Sequence, residues 1–366
     1  MAGGKDSGTT PQTRDVARYE SMNKVLIIGG GISGLSMAWA LEQQQIDYML
    51  ADPGTGGHAS VVAAGLMNPV TGRQYKLQPM VEVCWEAAAN CYTWWSEVTG
   101  HALVRPMDIH RLHRSEAARE QWRSNALPLA GSWAEDLPDE RIDHNSYQAG
   151  FGGVWVHHGH IVTTGKLYVE AIRYLRNAGK LLETDISPEV LQQGPPFTAG
   201  GITFDAVIDA SGIAAAANPV WQNIPFRYNK GEALLIKAIE LPEDRVITRN
   251  VILVPQGSAH FWAGSHNHWD DRNPGPTAEG LDKLSADITA TIRVPFEIIR
   301  HRAAIRPVIQ DRKPVSGSHP AISHLHILNG MGTKGYSLAP YHARLLAAHI
   351  AEDTALPAAT DVKRFY

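Results

Sequence analysis

Three glycines and one carboxylate near the start of the chain have a spacing with a defined chemical use. Gly29, Gly31 and Gly34 form the pattern G-x-G-x-x-G, and Asp52 follows Gly29 by 23 residues. The first glycine of this pattern allows a tight turn, the second lets the backbone approach a pyrophosphate, and the third lets a helix pack closely on a strand. A carboxylate at this distance bonds a ribose hydroxyl and repels the extra phosphate of NADP. These residues predict a dinucleotide site that does not suit NADP.

A single arginine in an apolar stretch is the second feature with chemical potential. Arg306 lies in the sequence AAIRPV, where an uncompensated charge would be expensive. Its planar guanidinium can form a two-pronged bond with a carboxylate. Asp311 is a partner that the neighbouring sequence itself offers, which would make the arginine part of a structural ion pair.

The glycine pattern requires a strand before it and a helix after it, and the sequence supplies both. Residues 24–28 (KVLII) are apolar and rich in β-branched side chains, as in a buried parallel strand. A helical pattern continues to about residue 44, and residues 46–52 suit the next strand, which ends in an acid. Strand, helix and strand in this order predict a Rossmann-like unit, whose helix N-terminus presents N–H groups to phosphates.

Further helices and strands are predicted along the rest of the chain. Residues 79–100 form a helical pattern with a broad apolar face, and residues 163–179 form another, capped by Thr163 and ended by Gly179. The buried stripe of the second helix is predicted to consist of Leu167, Ala171, Ile172 and Leu175. Elsewhere we predict a buried strand in 204–212, a β-rich region over 225–310 that includes a hairpin and a helix near 277–292, and a final glycine-rich turn into a helix.

Composition limits the classes of function. The chain has 366 residues and a net charge of −4, so charge gives no reason to expect nucleic acid as a partner. No apolar run is long enough to span a bilayer, and Cys84 and Cys91 are expected to be reduced thiols of a cytoplasmic protein. Residues 1–21 are polar, and we expect them to be a disordered extension outside the fold.

Five separated motifs occur in an order that resembles one family. They are GGGISG, HASVVAAGLMNP, FDAVIDASG, AAIRPVIQDRKPVSG and GMGTKGYSLAP. This order is similar to that of the D-amino acid oxidase superfamily, in particular its glycine oxidase-like branch. That branch also includes sarcosine oxidase-like enzymes and the FAD domain of a bifunctional enzyme that modifies the wobble uridine of tRNA. The last two motifs are the most specific ones.

The resemblance implies an α/β fold with a Rossmann-like FAD-binding domain and a smaller substrate domain with a mixed, largely antiparallel sheet. The FAD-binding domain would be discontinuous. We assign residues 22–80, 150–224 and 318–366 to it, and residues 81–149 and 225–317 to the substrate domain.

The same resemblance implies that FAD is bound in an extended form and without a covalent bond. Asp52 would bond its adenosine ribose, and Lys334 would strengthen the positive potential of a helix N-terminus beside the ring, which becomes anionic on reduction. The other implied contacts are Gly29, Gly31, Ile32, Ser33, Gly34 and Ser60 at the pyrophosphate, Ala64, Gly65, Leu66 and Met67 along the isoalloxazine ring, Ala210, Ser211 and Gly212 at a second nucleotide contact, and Gly330, Gly332, Thr333, Lys334, Gly335 and Tyr336 at the pyrimidine end.

For the substrate, the resemblance implies that Arg306 binds a carboxylate. A second family arginine falls at Thr333, so the sequence departs from the pattern there, and Lys334 or Arg73 is a candidate replacement. Arg306, Lys334 and Tyr336 are the residues we expect to act on a small amine or amino acid that bears a carboxylate.

The implied reaction is hydride transfer from the carbon that bears the amine to flavin N5, which yields an imine that water hydrolyses. Oxygen or a quinone or carrier would then accept the electrons, and we also expect that the chain can form a homo-oligomer. Three alternatives stay open: oxidation of a 2-hydroxy acid or a larger biosynthetic metabolite, oxidation of a tRNA wobble-uridine side chain, and a flavoprotein without catalysis.

Several other motifs have plainer readings. HNHWDD at 266–271 has some metal-ligand character, yet we expect a polar loop and no metal, and we read VHHGH at 156–160 as a strand end. Some relatives attach FAD to a histidine where this sequence has Val62, with His58 nearby, and we expect no such bond. Trp262, Tyr336 and Tyr341 are candidates for the pocket wall.

Overall fold

The computed structural model describes residues 24–56, 58–126 and 132–366, so the predicted extension lies outside the described residues. Its helices are α1 Ile32–Gln43, α2 Ala59–Val62, α3 Val81–Thr99, α4 Glu116–Asn125, α5 Thr164–Asn177, α6 Ala278–Thr289 and α7 Gly335–Glu352. Its strands are β1 Val25–Ile28, β2 Tyr48–Ala51, β3 Leu66–Met67, β4 Val70–Thr71, β5 Lys76–Leu77, β6 Val104–Pro106, β7 Asp108–Leu112, β8 Ala134–Leu137, β9 Gly153–Val156, β10 His160–Val162, β11 Leu181–Leu182, β12 Phe197–Ala199, β13 Ile202–Phe204, β14 Ala206–Asp209, β15 Phe226–Lys237, β16 Arg245–Thr248, β17 Ile252–Gly257, β18 His260–Trp269, β19 Glu297–Ile309, β20 Val315–Ser318 and β21 Leu325–Asn329.

A six-stranded sheet carries the predicted Rossmann-like unit. Its order is β11-β2-β1-β14-β21-β20, and every neighbouring pair is parallel except β20 and β21. Strands β1, β2 and β14 are buried along their whole length, as apolar strands covered on both faces must be. The predicted strand, helix and strand are confirmed, with α1 between β1 and β2.

Helices α1, α3, α5 and α7 pack together in the core on one side of this sheet. We assigned residues 81–149 to the substrate domain, but the first part of this range, α3, packs with the helices of the FAD-binding domain and buries its apolar face against them. Trp95 Nε1 donates to the carbonyl of Leu35 in α1 at 3.3 Å, and the Tyr92 hydroxyl donates to the carbonyl of Tyr336 in α7 at 2.6 Å. Apart from this helix and strand β9, the domain boundaries stay a prediction.

An eight-stranded sheet forms the second layer and has the order β19-β15-β18-β17-β16-β7-β9-β8. All its neighbouring pairs are antiparallel except β7 and β16, so the predicted mixed, largely antiparallel sheet is confirmed. The hairpin of β17 and β18 is confirmed as well. Strand β9 also belongs here, although we assigned residues 150–224 to the FAD-binding domain, because it pairs with β7 and β8.

The predictions for individual helices are confirmed in part. The stripe predicted for α5 is buried, but the Thr163 side chain accepts no capping hydrogen bond. The hydroxyl of the next residue, Thr164, instead lies 3.3 Å from the carbonyl oxygens of Val61 and Ala63. Helix α4 was not predicted, because its face is mostly polar and only Trp122 is buried. Among the described helices, none combines the length and apolar character needed to cross a membrane.

Strand β15 carries two buried charged residues next to the N-terminus of α6. Lys230 and Glu232 are fully buried, and Lys230 Nζ lies 3.4 Å from the Glu232 carboxylate and 2.9 Å from that of Asp271. The Thr277 backbone N–H and hydroxyl donate to Glu232 at 2.9 and 2.8 Å. Burial alone would raise the pKa of Glu232, but the bonds from Thr277 and Lys230 lower it below its ordinary value.

Replacing Lys230 with methionine should destabilise the protein by about 1.5 to 3 kcal/mol, because the buried Glu232 carboxylate loses one charged neighbour while Thr277 and His301 stay in place. The free energy of unfolding, measured by urea denaturation near neutral pH, checks this. Lys237→Met is the matched control at the exposed end of the same strand and should change stability by less than about 0.5 kcal/mol. Equal stabilities of the two variants would contradict the prediction.

Candidate functional site

The predicted glycine pattern lies at the carboxyl end of β1, where α1 begins. Gly29 has a φ of +101°, and a Cβ added at Gly34 would lie 1.8 Å from the Gly29 carbonyl oxygen, so both positions require glycine. Gly31 differs, because it has an extended conformation and an added Cβ would meet only Ser60 Oγ, at 3.4 Å. Space therefore stays open beside the N-terminus of α1, as a pyrophosphate needs.

Asp52 ends the second strand, as predicted, and its carboxylate is buried. One oxygen accepts from the Gly30 N–H at 2.8 Å, and the other accepts from the Gly54 N–H at 2.9 Å and from the Tyr168 hydroxyl at 2.7 Å. Burial and the bond to Asp52 raise the pKa of Tyr168, which keeps this hydroxyl a donor. His58 Nε2 lies 3.7 Å from the same carboxylate, and its ring contacts Tyr168. Tyr168 was not predicted, since its register on α5 marks it only as a core residue.

The segment after β2 connects the glycine pattern to the second sheet. Ser60 Oγ in α2 accepts from the Ile32 N–H at 2.9 Å. Gly65 has a φ of +69°, and a Cβ there would lie 1.9 Å from the Val162 carbonyl oxygen. Ala64, Gly65 and Leu66 line a cavity, whereas the Met67 side chain is buried in the core.

The other predicted cofactor segments converge on the same place. A Cβ at Gly29 would lie 2.7 Å from the Ala210 carbonyl oxygen, so the segment 210–212 borders the glycine pattern. Asn329 Nδ2 donates to the Gly212 carbonyl at 2.9 Å, which connects this segment to the turn containing Gly330 and Gly332. At the end of that turn, a Cβ on Gly335 would lie 3.0 Å from Ile32 Cγ2, so α7 begins beside α1. The chemistry of this set, with glycines, helix N-termini and a buried acid, fits FAD.

A cavity of about 850 Å³ lies between these segments and the eight-stranded sheet. Thr333, Lys334 and Tyr336 line it on the side of α7. Arg306, from β19, lines it on the side of the sheet. The structure therefore brings together the predicted substrate residues and the predicted flavin loop of 64–66 around one space.

Arg306 is held by neutral groups and has no carboxylate within 4.0 Å among the described residues. Its Nη1 donates to Asn229 Oδ1 at 2.9 Å and to Asn267 Oδ1 at 2.6 Å. A Cβ on Gly231 would lie 2.1 Å from Arg306 Nη2, so this glycine makes room for the guanidinium on β15. Burial lowers the pKa of Arg306 to about 10. The alternative pairing with Asp311 is wrong, because that carboxylate bonds Arg364 Nε at 3.0 Å.

The other candidates for the cavity wall have distinct environments. Burial lowers the pKa of Lys334. The Tyr336 hydroxyl donates to the Ser60 carbonyl at 2.8 Å, which directs it to α2. Trp262 lines the cavity and donates to the Val62 carbonyl at 2.9 Å, whereas Tyr341 packs against Cys84 in a separate apolar cluster.

The histidine-rich segment was predicted to be a polar loop, but residues 266–269 belong to strand β18, and its two histidines lie on the face away from the cavity. Ser265 and Asn267 line the cavity, so the alternation of the strand turns His266 and His268 away from it. Ligand atoms of these two histidines and of Glu279 lie within 4.8 Å of one another. Asp271, the acid of the motif, instead bonds Lys230.

Asn229, Asn267 and Gly231 are site residues that sequence reasoning missed. No local motif marks them, and each acts only because its strand pairs with, or crosses near, the strand of Arg306. The paired register, with Asn229 opposite Arg306, would have been the signal that could find the first of them.

Comparisons with known proteins agree with this geometry. A bifunctional protein of tRNA 5-methylaminomethyl-2-thiouridine biosynthesis from Marinobacter nauticus is 24% identical over 95% of this chain, and the chain spans 59% of that protein's length. Glycine oxidase from Pseudomonas putida is 24% identical over 88% of the chain and 93% of its own length. The crystal structure of glycine oxidase from Geobacillus kaustophilus superposes with a TM-score of 0.76 at 21% identity, covering 94% of this chain and 98% of that one.

The family model for FAD-dependent oxidoreductases of the D-amino acid oxidase type matches residues 24–349. This range contains all five motifs, both sheets and the whole cavity. The chain therefore belongs to this family of FAD-dependent oxidoreductases.

Proposed function

We propose that this protein oxidises the C–N bond of an amino acid or N-substituted amine that bears a carboxylate. The observation that carries the proposal is Arg306, a half-buried arginine whose guanidinium lines the cavity and is held by two amide oxygens rather than by an acid. Withdrawing a cation from water without an anionic partner is costly, and Arg306 has no such partner among the described residues, so a substrate carboxylate would supply it.

The residues of the cavity divide the work of binding and orientation. When bound, FAD supplies the hydride acceptor for the carbon that bears the amine. Arg306 would fix the carboxylate, and the bonds that its guanidinium donates to Asn229 and Asn267 would fix the guanidinium, so that the substrate is held in one orientation. Lys334 would add positive charge at the N-terminus of α7, where the pyrimidine end of the flavin is expected. Tyr336 would serve as wall, since its hydroxyl is engaged with Ser60.

The same cavity could orient a 2-hydroxy acid, because Arg306 would contact only the carboxylate of the substrate and not its amine or hydroxyl. The glycine oxidase relatives favour a nitrogen substrate, and this chain matches nearly the whole length of those relatives. The electron acceptor and the association of identical chains stay predictions.

Anaerobic mixing with the right substrate should bleach the visible absorbance of the protein-bound FAD. The screen would use glycine, sarcosine, D-amino acids and cyclic imino acids, with the corresponding 2-hydroxy acids as the matched alternative class. Bleaching by an amine, with an imine or its carbonyl product recovered, is the expected result. Bleaching by hydroxy acids alone would favour hydroxy acid oxidation over the proposal. The proposal would also be contradicted if every carboxylate-bearing compound failed to bleach the flavin.

A further inference from the structure

Positive charge lines the cavity far in excess of what one carboxylate needs. Its cationic residues are Arg73, Arg111, Arg114, Arg249, Arg306 and Lys334. No aspartate or glutamate is in the described lining, and none of the six has a carboxylate within 4.0 Å among the described residues. Because the whole chain has a net charge of −4, this concentration of cations is a local property of the cavity.

The topology of the second sheet brings three of these arginines together. Strands β7 and β16 form its parallel pair, in which Arg111 stands opposite Thr248. The carboxyl ends of parallel strands meet at one edge, so the residues that follow them, Arg114 and Arg249, are neighbours as well. Arg114 Nε donates to the Arg249 carbonyl at 2.8 Å.

Neutral groups hold these arginines and leave their charges uncompensated. Arg111 Nη2 donates to the Gly72 carbonyl at 2.7 Å, and its guanidinium lies 3.8 Å from the centroid of the Tyr75 ring. Arg249 donates to the Ala290 carbonyl. Burial and the charge of Arg114 both lower the pKa of Arg249, as expected for clustered like charges. A cluster of this kind opposes folding unless an anion offsets it.

Two residues of this cavity lining carry buried donors that have no hydrogen-bond partner among the described residues. The Thr248 side chain is 9% exposed and lines the cavity, and its buried Oγ1 has no hydrogen-bond partner in the part of the chain that the structure describes. The Nε of Arg249 is also buried, and none of the described residues bonds it. Buried polar groups are nearly always bonded in native proteins, so an orphaned hydroxyl beside two arginines indicates a ligand that accepts hydrogen bonds.

We propose that Arg111, Arg114, Arg249 and Thr248 form a second anion subsite, which binds a carboxylate or phosphoryl group at the far end of the substrate. The inference rests on the proposed function and narrows its substrate class to molecules with two anionic groups. Arg306 binds the first group and the subsite binds the second. A small molecule suits the subsite better than a nucleic acid, because the arginines line one concave cavity of about 850 Å³.

A matched series of N-substituted glycines tests the subsite. The substituents are propyl, 2-carboxyethyl and 2-phosphonoethyl, and the dissociation constant of each is taken from anaerobic reduction of the FAD-loaded protein at constant ionic strength. The dissociation constants of the charged compounds should be lower than that of the propyl compound by a factor of about ten or more. Comparing the two charged compounds tells a carboxylate-bearing from a phosphoryl-bearing substrate.

Variants then assign the preference to the arginines. Arg114→Gln and Arg249→Gln should shrink the ratio between the charged and propyl compounds by about tenfold, and Arg114→Lys should restore part of it. Arg114 is exposed, so its variants should fold even if the Arg249 variant does not. Arg123→Gln removes the same charge from α4, outside the described lining, and should leave the ratio unchanged.

The outcomes separate this inference from the proposed function. Reduction of FAD by the propyl compound with no preference for the charged ones would overturn the subsite and keep the amine oxidation. If no compound reduces FAD, the amine oxidation fails, and calorimetric binding of inorganic phosphate, weakened by Arg114→Gln, would still support the subsite. Binding of a stem-loop RNA that depends on Arg114, with no binding of phosphate or of the charged glycines, would overturn it in favour of a nucleic acid.

Discussion

Replacing Arg306 with leucine should raise the KM for carboxylate-bearing substrates by about 30-fold or more, because loss of a buried charge-assisted pair costs about 2 to 5 kcal/mol. The FAD content should stay that of the wild type, since the guanidinium bonds only Asn229 and Asn267 among the described residues. The measurement is steady-state kinetics, or anaerobic FAD reduction, with the best substrate of the screen. An amine without a carboxylate is the matched probe, and its reaction should be affected far less.

A second variant separates the position of the charge from its presence. Gly231→Ala keeps the arginine but places a methyl group 2.1 Å from the present position of Arg306 Nη2, so the guanidinium must move. We expect the KM for the carboxylate substrate to rise here too, by less than in Arg306→Leu. An unchanged KM in both variants would disprove the role of Arg306 as a carboxylate clamp.

Replacing Gly31 with valine should abolish FAD binding and leave the chain folded. The extended backbone of Gly31 accepts a side chain, and the added Cβ meets only Ser60 Oγ, at 3.4 Å. The side chain would therefore occupy the open space beside α1, where the pyrophosphate is proposed to lie. The flavin absorbance of the purified variant measures the first effect, and its circular dichroism and thermal unfolding, compared with those of FAD-free wild type, measure the second.

Gly34→Val is the matched control on the same helix. Its Cβ would lie 1.8 Å from the Gly29 carbonyl oxygen, so we expect loss of folded protein and not only loss of FAD. A Gly31→Val protein that retains full flavin absorbance would contradict the proposed position of the pyrophosphate.

The features that follow from local sequence could be predicted. The run KVLII, the glycine pattern and the acid of the second strand are close in sequence, and their spacing is set by one strand, one turn and one helix. The fold class and the family could also be predicted, because five separated motifs occur in an order that resembles one family. The bond between Asp52 and Tyr168 could not be predicted, because 116 residues separate its partners.

Features that depend on tertiary packing could not be predicted from the sequence. Thr163 has the residue type of a helix cap, yet its hydroxyl makes no cap, and the neighbouring Thr164 turns to the loop before β3 instead. The arginines at the ends of β7 and β16 are more than 130 residues apart in sequence, and only the parallel pairing of these strands makes them neighbours. No periodicity in either strand indicates that pairing.

The four residues of α2 connect the two proposed binding regions, which are the glycine pattern at the start of α1 and the cavity that contains Arg306. Ser60 accepts from the first N–H of α1, its carbonyl accepts from Tyr336, and the Val62 carbonyl accepts from Trp262 in the strand that also carries Asn267. The helix also packs against β19, the strand of Arg306. A cofactor that orders the start of α1 would thereby order the arginine as well. By linkage, occupancy of either region should tighten the other by the same factor, so cofactor retention is expected to rise when substrate is present.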